Sequence, residues 1–130
     1  MAEPPEGATP EEVVRRFCSA VSARDTELLR PMLAGGVVYH NVPMEPSKGI
    51  DATLEALATL FVMFEGIRFE VLHLAVTGNT VLTERVDFLR TAQVEAMLPV
   101  MGAFDVEGGR IAAWRDYFDV AQAGSLLSDG

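Results

Sequence analysis

Apolar residues early in the chain recur at helical spacing, and those late in the chain alternate. Val13, Val14, Phe17 and Val21 lie three or four positions apart, which predicts a helix ending near Ala23. Its start is marked by Thr9-Pro10-Glu11-Glu12: a threonine cap, a proline in the first turn and a glutamate three residues on. Asp25-Thr26-Glu27 opens a second, shorter helix carrying Leu28, Leu29 and Leu33, which Pro31 kinks or ends. Ala34-Gly35-Gly36 predicts a break, and residues 37–41 a short strand stopped by Pro43 and Pro46. After Gly49, Ile50, Leu54, Leu57 and Phe61 form the stripe of a third helix.

From there the pattern is extended. Residues 67–77 predict a strand, Gly78-Asn79 a tight turn, and residues 80–90 the returning arm of a hairpin. Residues 94–106 are a further extended stretch, with Pro99 and Gly102 as bends or bulges. Glu107-Gly108-Gly109 turns into a last strand at 110–118. Helices first and an antiparallel meander afterwards imply an α+β fold. The simplest packing wraps a curved sheet over the helices and leaves a cavity between its concave face and the long helix. One domain is expected over residues 9–120, after a disordered lead at 1–8. A flexible tail at 121–130 is expected to hold one helical turn.

Composition narrows the partners. The chain has 130 residues and a net charge of −9, from 10 basic against 19 acidic residues. No basic stripe is present for nucleic acid, and an anionic membrane surface is disfavoured on the same ground. At 49% the hydrophobic content is high, yet no apolar run approaches the roughly 20 residues that span a bilayer. The surplus suits a lined cavity or a subunit interface. Cys18 is the single cysteine and reads as a small core residue. The first residues have neither a basic nor an apolar signal region, so a cytoplasmic protein is expected.

Three charged residues occupy positions where a buried strand would be apolar: Arg85 and Asp87 in Thr83-Glu84-Arg85-Val86-Asp87, and Asp116 in Trp114-Arg115-Asp116-Tyr117-Phe118. Alternation puts Arg85 and Asp87 on one face, Asp116 with Trp114 and Phe118, and Tyr39 with Asn41. A carboxylate among such neighbours is costly unless paired. Taken singly, Arg85 and Asp87 read as an ion pair, Asp116 as a turn cap or a partner of Arg115 or Arg110, and Asn41 as a turn residue. If the strands converge, two acids and one arginine can share a proton, so that one acid gives a proton while the other takes one. Opening an epoxide with water needs that pair and no metal or redox cofactor. The histidines are read as a surface residue (His40) and a sheet residue (His73). Met97, Leu98, Val100, Met101 and Phe104 suit either pocket or core.

Three segments together resemble the limonene-1,2-epoxide hydrolase family, within the NTF2-like and SnoaL-like fold group: Tyr39-His40-Asn41-Val42-Pro43-Met44-Glu45-Pro46-Ser47-Lys48-Gly49, Thr83-Glu84-Arg85-Val86-Asp87 and Trp114-Arg115-Asp116-Tyr117-Phe118-Asp119. The resemblance implies a strongly curved mixed sheet forming a cone with helices over its concave face. It also implies a homodimer and a one-step hydrolysis, without cofactor, metal or covalent intermediate, of a terpene-, lipid- or sterol-like epoxide to a diol. By that resemblance Asp116 is the base, Asp87 the acid, Arg85 the bridge between them, and Tyr39 and Asn41 hold the water. An isomerase or cyclase of the same fold, and a non-catalytic binder of apolar ligands, are the competing readings.

Overall fold

The computed structural model describes residues 7–128; the first six residues of the expected lead and the last two of the expected tail lie outside the described residues. Helix α1, Pro10–Ala20, starts as its sequence dictates. The Thr9 hydroxyl accepts from the Glu12 amide at 3.2 Å, and the Glu12 carboxylate accepts from the Thr9 amide at 3.0 Å. This reciprocal box satisfies two amides that the helix cannot bond itself. Val13, Val14, Phe17 and Cys18 form its buried face. A tight turn over Val21–Ala23 follows and ends at Arg24, in the left-handed region at φ 52°. The Arg24 guanidinium donates to the carbonyls of Phe61 at 2.8 Å and Phe64 at 3.0 Å, closing the end of a later helix.

Helix α2 is the single turn Thr26–Leu29, capped by Asp25. Pro31 sits in the tight turn Arg30–Met32, as its missing amide requires. Strand β1, Leu33–Asn41, begins earlier than expected. Leu33 belongs to the strand, not to the helical stripe, and Ala34-Gly35-Gly36 is an irregularity within it: the register with the last strand shifts between Leu33 and Val38. The exposed glycines bulge out while Leu33 and Val37 stay buried. Strand β2, Ser47–Lys48, was not legible, being too short to alternate. Gly49, at φ 90°, turns the chain into α3, Ile50–Met63; only glycine adopts that φ without strain.

Strands β3 (Gly66–Thr77), β4 (Thr80–Arg90), β5 (Glu95–Glu107) and β6 (Arg110–Tyr117) form the meander. The sheet order is β2-β1-β6-β5-β4-β3. Only β1 against β6 is parallel, so the sheet is mixed, curved and unclosed. Pro99 and Gly102 are not bulges: Val86 pairs with Pro99, and Gly102 pairs with Thr83 and Asp116 in register. β6 pairs with β5 only from Met101 onward, so Pro99 faces an open edge and its missing amide is tolerated. The irregularity falls instead between Asp105 and Val106.

Helix α4, Val120–Ser128, is longer than the single turn expected of the tail. Asp119 caps it by accepting from the Gln122 amide at 3.0 Å. It packs on β5, with Ala123 and Leu126 half-buried, so tertiary contact extends a segment whose own composition promised little. The core lies between α1, α3 and the concave face. Trp114 is its centre, with Tyr39 stacked at 4.2 Å, Phe104 stacked at 5.7 Å and Phe17 edge-on at 5.1 Å between ring centroids. Among the described residues no helix is long and apolar enough to cross a membrane.

Thr53 of α3 is fully buried, and its hydroxyl has no hydrogen-bond partner among the described residues. An unsatisfied buried hydroxyl costs about 1–3 kcal/mol. Thr53→Val keeps the shape and removes the polar atom. It is expected to stabilise the fold by about 1 kcal/mol, read as a thermal midpoint a few degrees higher. A lower midpoint would mean the hydroxyl is satisfied in solution.

Candidate active site

Alternation along β4 places Val81, Thr83, Arg85 and Asp87 inward, all buried. Along β6 it places Trp114 and Asp116 inward, and along β1 Tyr39 faces the same way. Parallel pairing of β1 with β6 sets Tyr39 beside Trp114 and Asn41 beside Asp116. The three strands therefore do converge. Tyr39, Asn41, Asp87 and Asp116 border one cavity, whose walls are Leu57 and Phe61 of α3 and Phe64 just after it, with Ile67, Leu89, Leu98, Val100 and Phe118. Arg85 lies behind the two acids, 1% exposed; Asp87 is 6% and Asp116 4% exposed.

The guanidinium grips both carboxylates. Nε donates to Asp87 Oδ1 at 3.0 Å and Nη2 to Asp87 Oδ2 at 2.9 Å. On the other side Nη1 donates to Asp116 Oδ1 at 3.0 Å and Nη2 to Asp116 Oδ2 at 2.8 Å. Both acids are thus held by paired hydrogen bonds from one planar group, Asp87 side-on through Nε and Nη2 and Asp116 end-on through Nη1 and Nη2, the two-pronged geometry in which arginine binds carboxylates well. The Phe69 ring covers the guanidinium at 4.4 Å. Trp114 Nε1 donates to Asp116 Oδ1 at 2.8 Å, a third fixed contact that the sequence reading did not assign. The Trp-x-Asp spacing was its only sign. Asn41 Nδ2 donates to the Tyr39 hydroxyl at 3.0 Å, which leaves the phenol proton free to point elsewhere.

Burial pushes the Asp87 carboxyl up to about 6, against the pull of the Arg85 hydrogen bonds and charge and with the repulsion of Asp116. A group near 6 can hold or release a proton close to neutrality. Burial, joined by the Asp116 charge, also raises Tyr39, keeping it a neutral phenol. For Arg85 burial opposes the charge, but Asp116 and Asp87 outweigh it and the group stays charged.

The single-residue readings of Asp116 give way here, while Asn41 does serve the turn, its carbonyl accepting from the Met44 amide at 2.7 Å. Arg85 does pair with Asp87, but equally with Asp116. Arg115 binds Asp105 at 2.9 Å, and Arg110 donates to the Pro31 carbonyl at 3.2 Å. His40 turns from Tyr39 and meets the Met44 carbonyl at 2.8 Å. His73 is exposed on β3, 2.7 Å from the Glu84 carboxylate. Leu98 and Val100 line the cavity, Phe104 lies in the core, and Met97 and Met101 are exposed on the outer face.

The limonene-1,2-epoxide hydrolase catalytic domain profile matches residues 8–127. The chain belongs to the limonene-1,2-epoxide hydrolase family. A relative in that chemistry is the epoxide hydrolase EphG of Mycobacterium tuberculosis, 37% identical over 110 residues, covering 82% of this chain and 71% of EphG. Among solved structures, an M. tuberculosis LEH-like epoxide hydrolase superposes with a TM-score of 0.80 at 31% identity, over 92% of this chain and 90% of that one. A SnoaL-like polyketide cyclase from Shewanella denitrificans superposes at 0.82 with 13% identity, over 93% and 98%. At that identity the likeness is one of fold, the NTF2-like and SnoaL-like cone. Within the limonene-1,2-epoxide hydrolase family fold, the described carboxylate pair sits at the polar end of an apolar cavity.

Proposed function

We propose that this epoxide hydrolase adds water in one step to an apolar epoxide of terpene-, lipid- or sterol-like character, giving a vicinal diol. The observation that carries the reading is the pair of buried carboxylates gripped by one guanidinium on the wall of an apolar cavity. In this reading Asp116 is ionised and accepts a proton from water, whose oxygen attacks a ring carbon. The ring carbon–oxygen bond breaks as Asp87, protonated, donates to the ring oxygen. Asp116 ends protonated and Asp87 ionised, and the proton returns to Asp87 through solvent before the next turnover. Tyr39 and Asn41 supply the remaining hydrogen bonds to the water, and Arg85 keeps both acids in line. The apolar walls select the substrate and exclude all but a few waters, strengthening each charge interaction. The atoms balance with no covalent intermediate and no cofactor.

The test is turnover in oxygen-18 water across limonene oxide, fatty-acid epoxides and a sterol epoxide, followed by mass spectrometry. One heavy oxygen in the diol under multiple turnovers, and one also in a single turnover with excess enzyme, supports direct attack. A single-turnover diol carrying only light oxygen would instead mean that an enzyme carboxylate attacked first. A product of unchanged mass would point to isomerisation.

The same reading includes a homodimer. Leu82, Met97, Met101 and Tyr117 are exposed together on the outer face of β4, β5 and β6, an apolar surface suited to a second copy. Light scattering reads the assembly directly, and a monomer at working concentration would remove this part. Cytoplasmic residence belongs to the same reading, and cell fractionation checks it. Clearance of lipid or xenobiotic epoxides is the role such chemistry suits.

A further inference from the structure

Arg85 and Asp116 are not on neighbouring strands. β5 lies between β4 and β6, so the guanidinium must cross the inner face of a whole strand to reach Asp116. Adjacent strands are about 4.8 Å apart, and the inner face of β5 is otherwise filled by Ala96, Leu98, Val100 and Phe104, all buried. The crossing falls at Gly102, which pairs with Thr83 on one side and Asp116 on the other. A Cβ placed on Gly102 would meet Arg85 Nη1 closest of all, then Asp116 Oδ1 at 2.7 Å and Thr83 Oγ1 at 2.9 Å. Real Cβ atoms do not approach so near.

The glycine is not there for its backbone. Gly102 is absent from the positive-φ positions, unlike Gly49, Gly78, Gly108 and Gly109. A glycine inside a strand at ordinary φ costs stability for no conformational return. Its use is the empty space. Arg85 cannot simply retreat from an added methyl, because both its sides are bound to carboxylates and Phe69 covers its face.

Thr83 completes the cradle. Four of the guanidinium N–H groups are taken by Asp87 and Asp116. The remaining one, on Nη1, points to Thr83 Oγ1 at 3.5 Å, and that hydroxyl donates to the Gly102 carbonyl at 3.3 Å. All five donors of the arginine are then directed at acceptors.

We propose that Gly102 and Thr83 are positioning residues for hydrolysis: Gly102 is the gap through which Arg85 crosses β5, and Thr83 fixes the tilt of the guanidinium in that gap. Neither touches substrate; both act through Arg85 on the two acids. The inference rests on the acid and base roles given above.

Gly102→Ala is expected to lower kcat about 100-fold, the loss that a misplacement of about 1 Å brings, with KM changed far less. The limb of the kcat/KM pH profile set by Asp87 is expected to move to higher pH. A displaced guanidinium pulls that carboxyl down less, so it holds its proton to higher pH. The other ionisable groups facing the pair are Tyr39 from β1 and Cys18 from α1, both kept neutral by burial. Thr83→Val is expected to shift that limb in the same direction by less, and Thr83→Ser to restore most of what valine loses.

The experiment is the kcat, KM and pH profile of these three variants on the full chain, each checked for fold by circular dichroism. A folded Gly102→Ala enzyme whose Asp87 limb has not moved, whatever its rate, overturns the proposal. Should that variant not fold, Thr83→Val decides: a shifted limb restored by serine supports it, and an unmoved limb overturns it. Asp116→Asn, run alongside, separates the two layers. If it stays active the acid and base roles fail; if it is dead while Gly102→Ala keeps the wild-type profile, only the positioning fails.

Discussion

Asp116→Asn is expected to lower kcat at least about 1,000-fold, near the upper range for a positioned acid or base, while circular dichroism stays that of the wild type. An amide cannot take a proton from water. It can still accept from Trp114 Nε1 and Arg85 Nη1 through its one oxygen, the contacts now made at 2.8 and 3.0 Å. The lost contact is the one from Arg85 Nη2 at 2.8 Å, where the new NH2 faces another donor. A drop of a few degrees in thermal midpoint is therefore expected, not unfolding. The variant also removes a negative neighbour from Asp87, and that charge is one of the forces raising the Asp87 carboxyl. The remaining acid should lose its proton at lower pH, compounding the loss of the base. Retention of a tenth or more of wild-type turnover in the folded variant would exclude Asp116 as the base.

Arg85→Met should have the largest effect on stability. It removes a buried cation and strands two carboxylates in a cavity with apolar walls. Breaking a buried ion pair on one side typically costs about 3–5 kcal/mol. The cost has a pH signature whose sign follows from linkage. Without the guanidinium the Asp87 carboxyl, already raised by burial, stands further above its unfolded value, because the Arg85 pull that lowers it is gone. The folded state then binds more protons than the unfolded one between the unfolded and folded values, so stability falls as pH rises through that window. The penalty is complete above the folded value and relieved toward the unfolded carboxylate range near pH 4. Urea denaturation of wild type and variant at pH 5 and pH 8 reads it. The variant should lose more at pH 8, and an equal loss at both would show that packing of the arginine stem, not its charge, is what matters. Turnover should be lost at either pH.

Much of the cone was legible because its signals are local. The Thr9 capping box, the Gly78-Asn79 turn and the long alternations of β3 and β4 each carry their own physical cause. What escaped reading depends on contacts elsewhere. Leu33 fits a helical stripe by spacing, but pairing with Ile111 makes it strand. Pro99 looks like a bend until the short reach of β6 leaves its edge open. Helix α4 has little amphipathic pattern and forms against β5. At the site, alternation alone put Arg85 with Asp87 and Tyr39 with Asn41. Bringing Tyr39 and Asn41 to Asp116 needed the parallel pairing of β1 with β6, which no local pattern announces. Alternation places Trp114 on the face of Asp116, but the hydrogen bond from its indole N–H to that carboxylate shows only in the structure.

That parallel pairing also sets when the enzyme comes into being. Asn41 and Asp116 stand side by side although one lies in the first third of the chain and the other near its far end. Joining them requires closing a loop that contains α3 and the whole hairpin. Such closures are entropically costly and come late, after the local turns and helices are formed. The β4–β5–β6 meander can bring Arg85, Asp87 and Asp116 together through short connections, whereas Tyr39 and Asn41 join them only when β1 pairs with β6. On the proposed roles, a partly refolded chain is expected to hold its two acids before the residues that would hold the water.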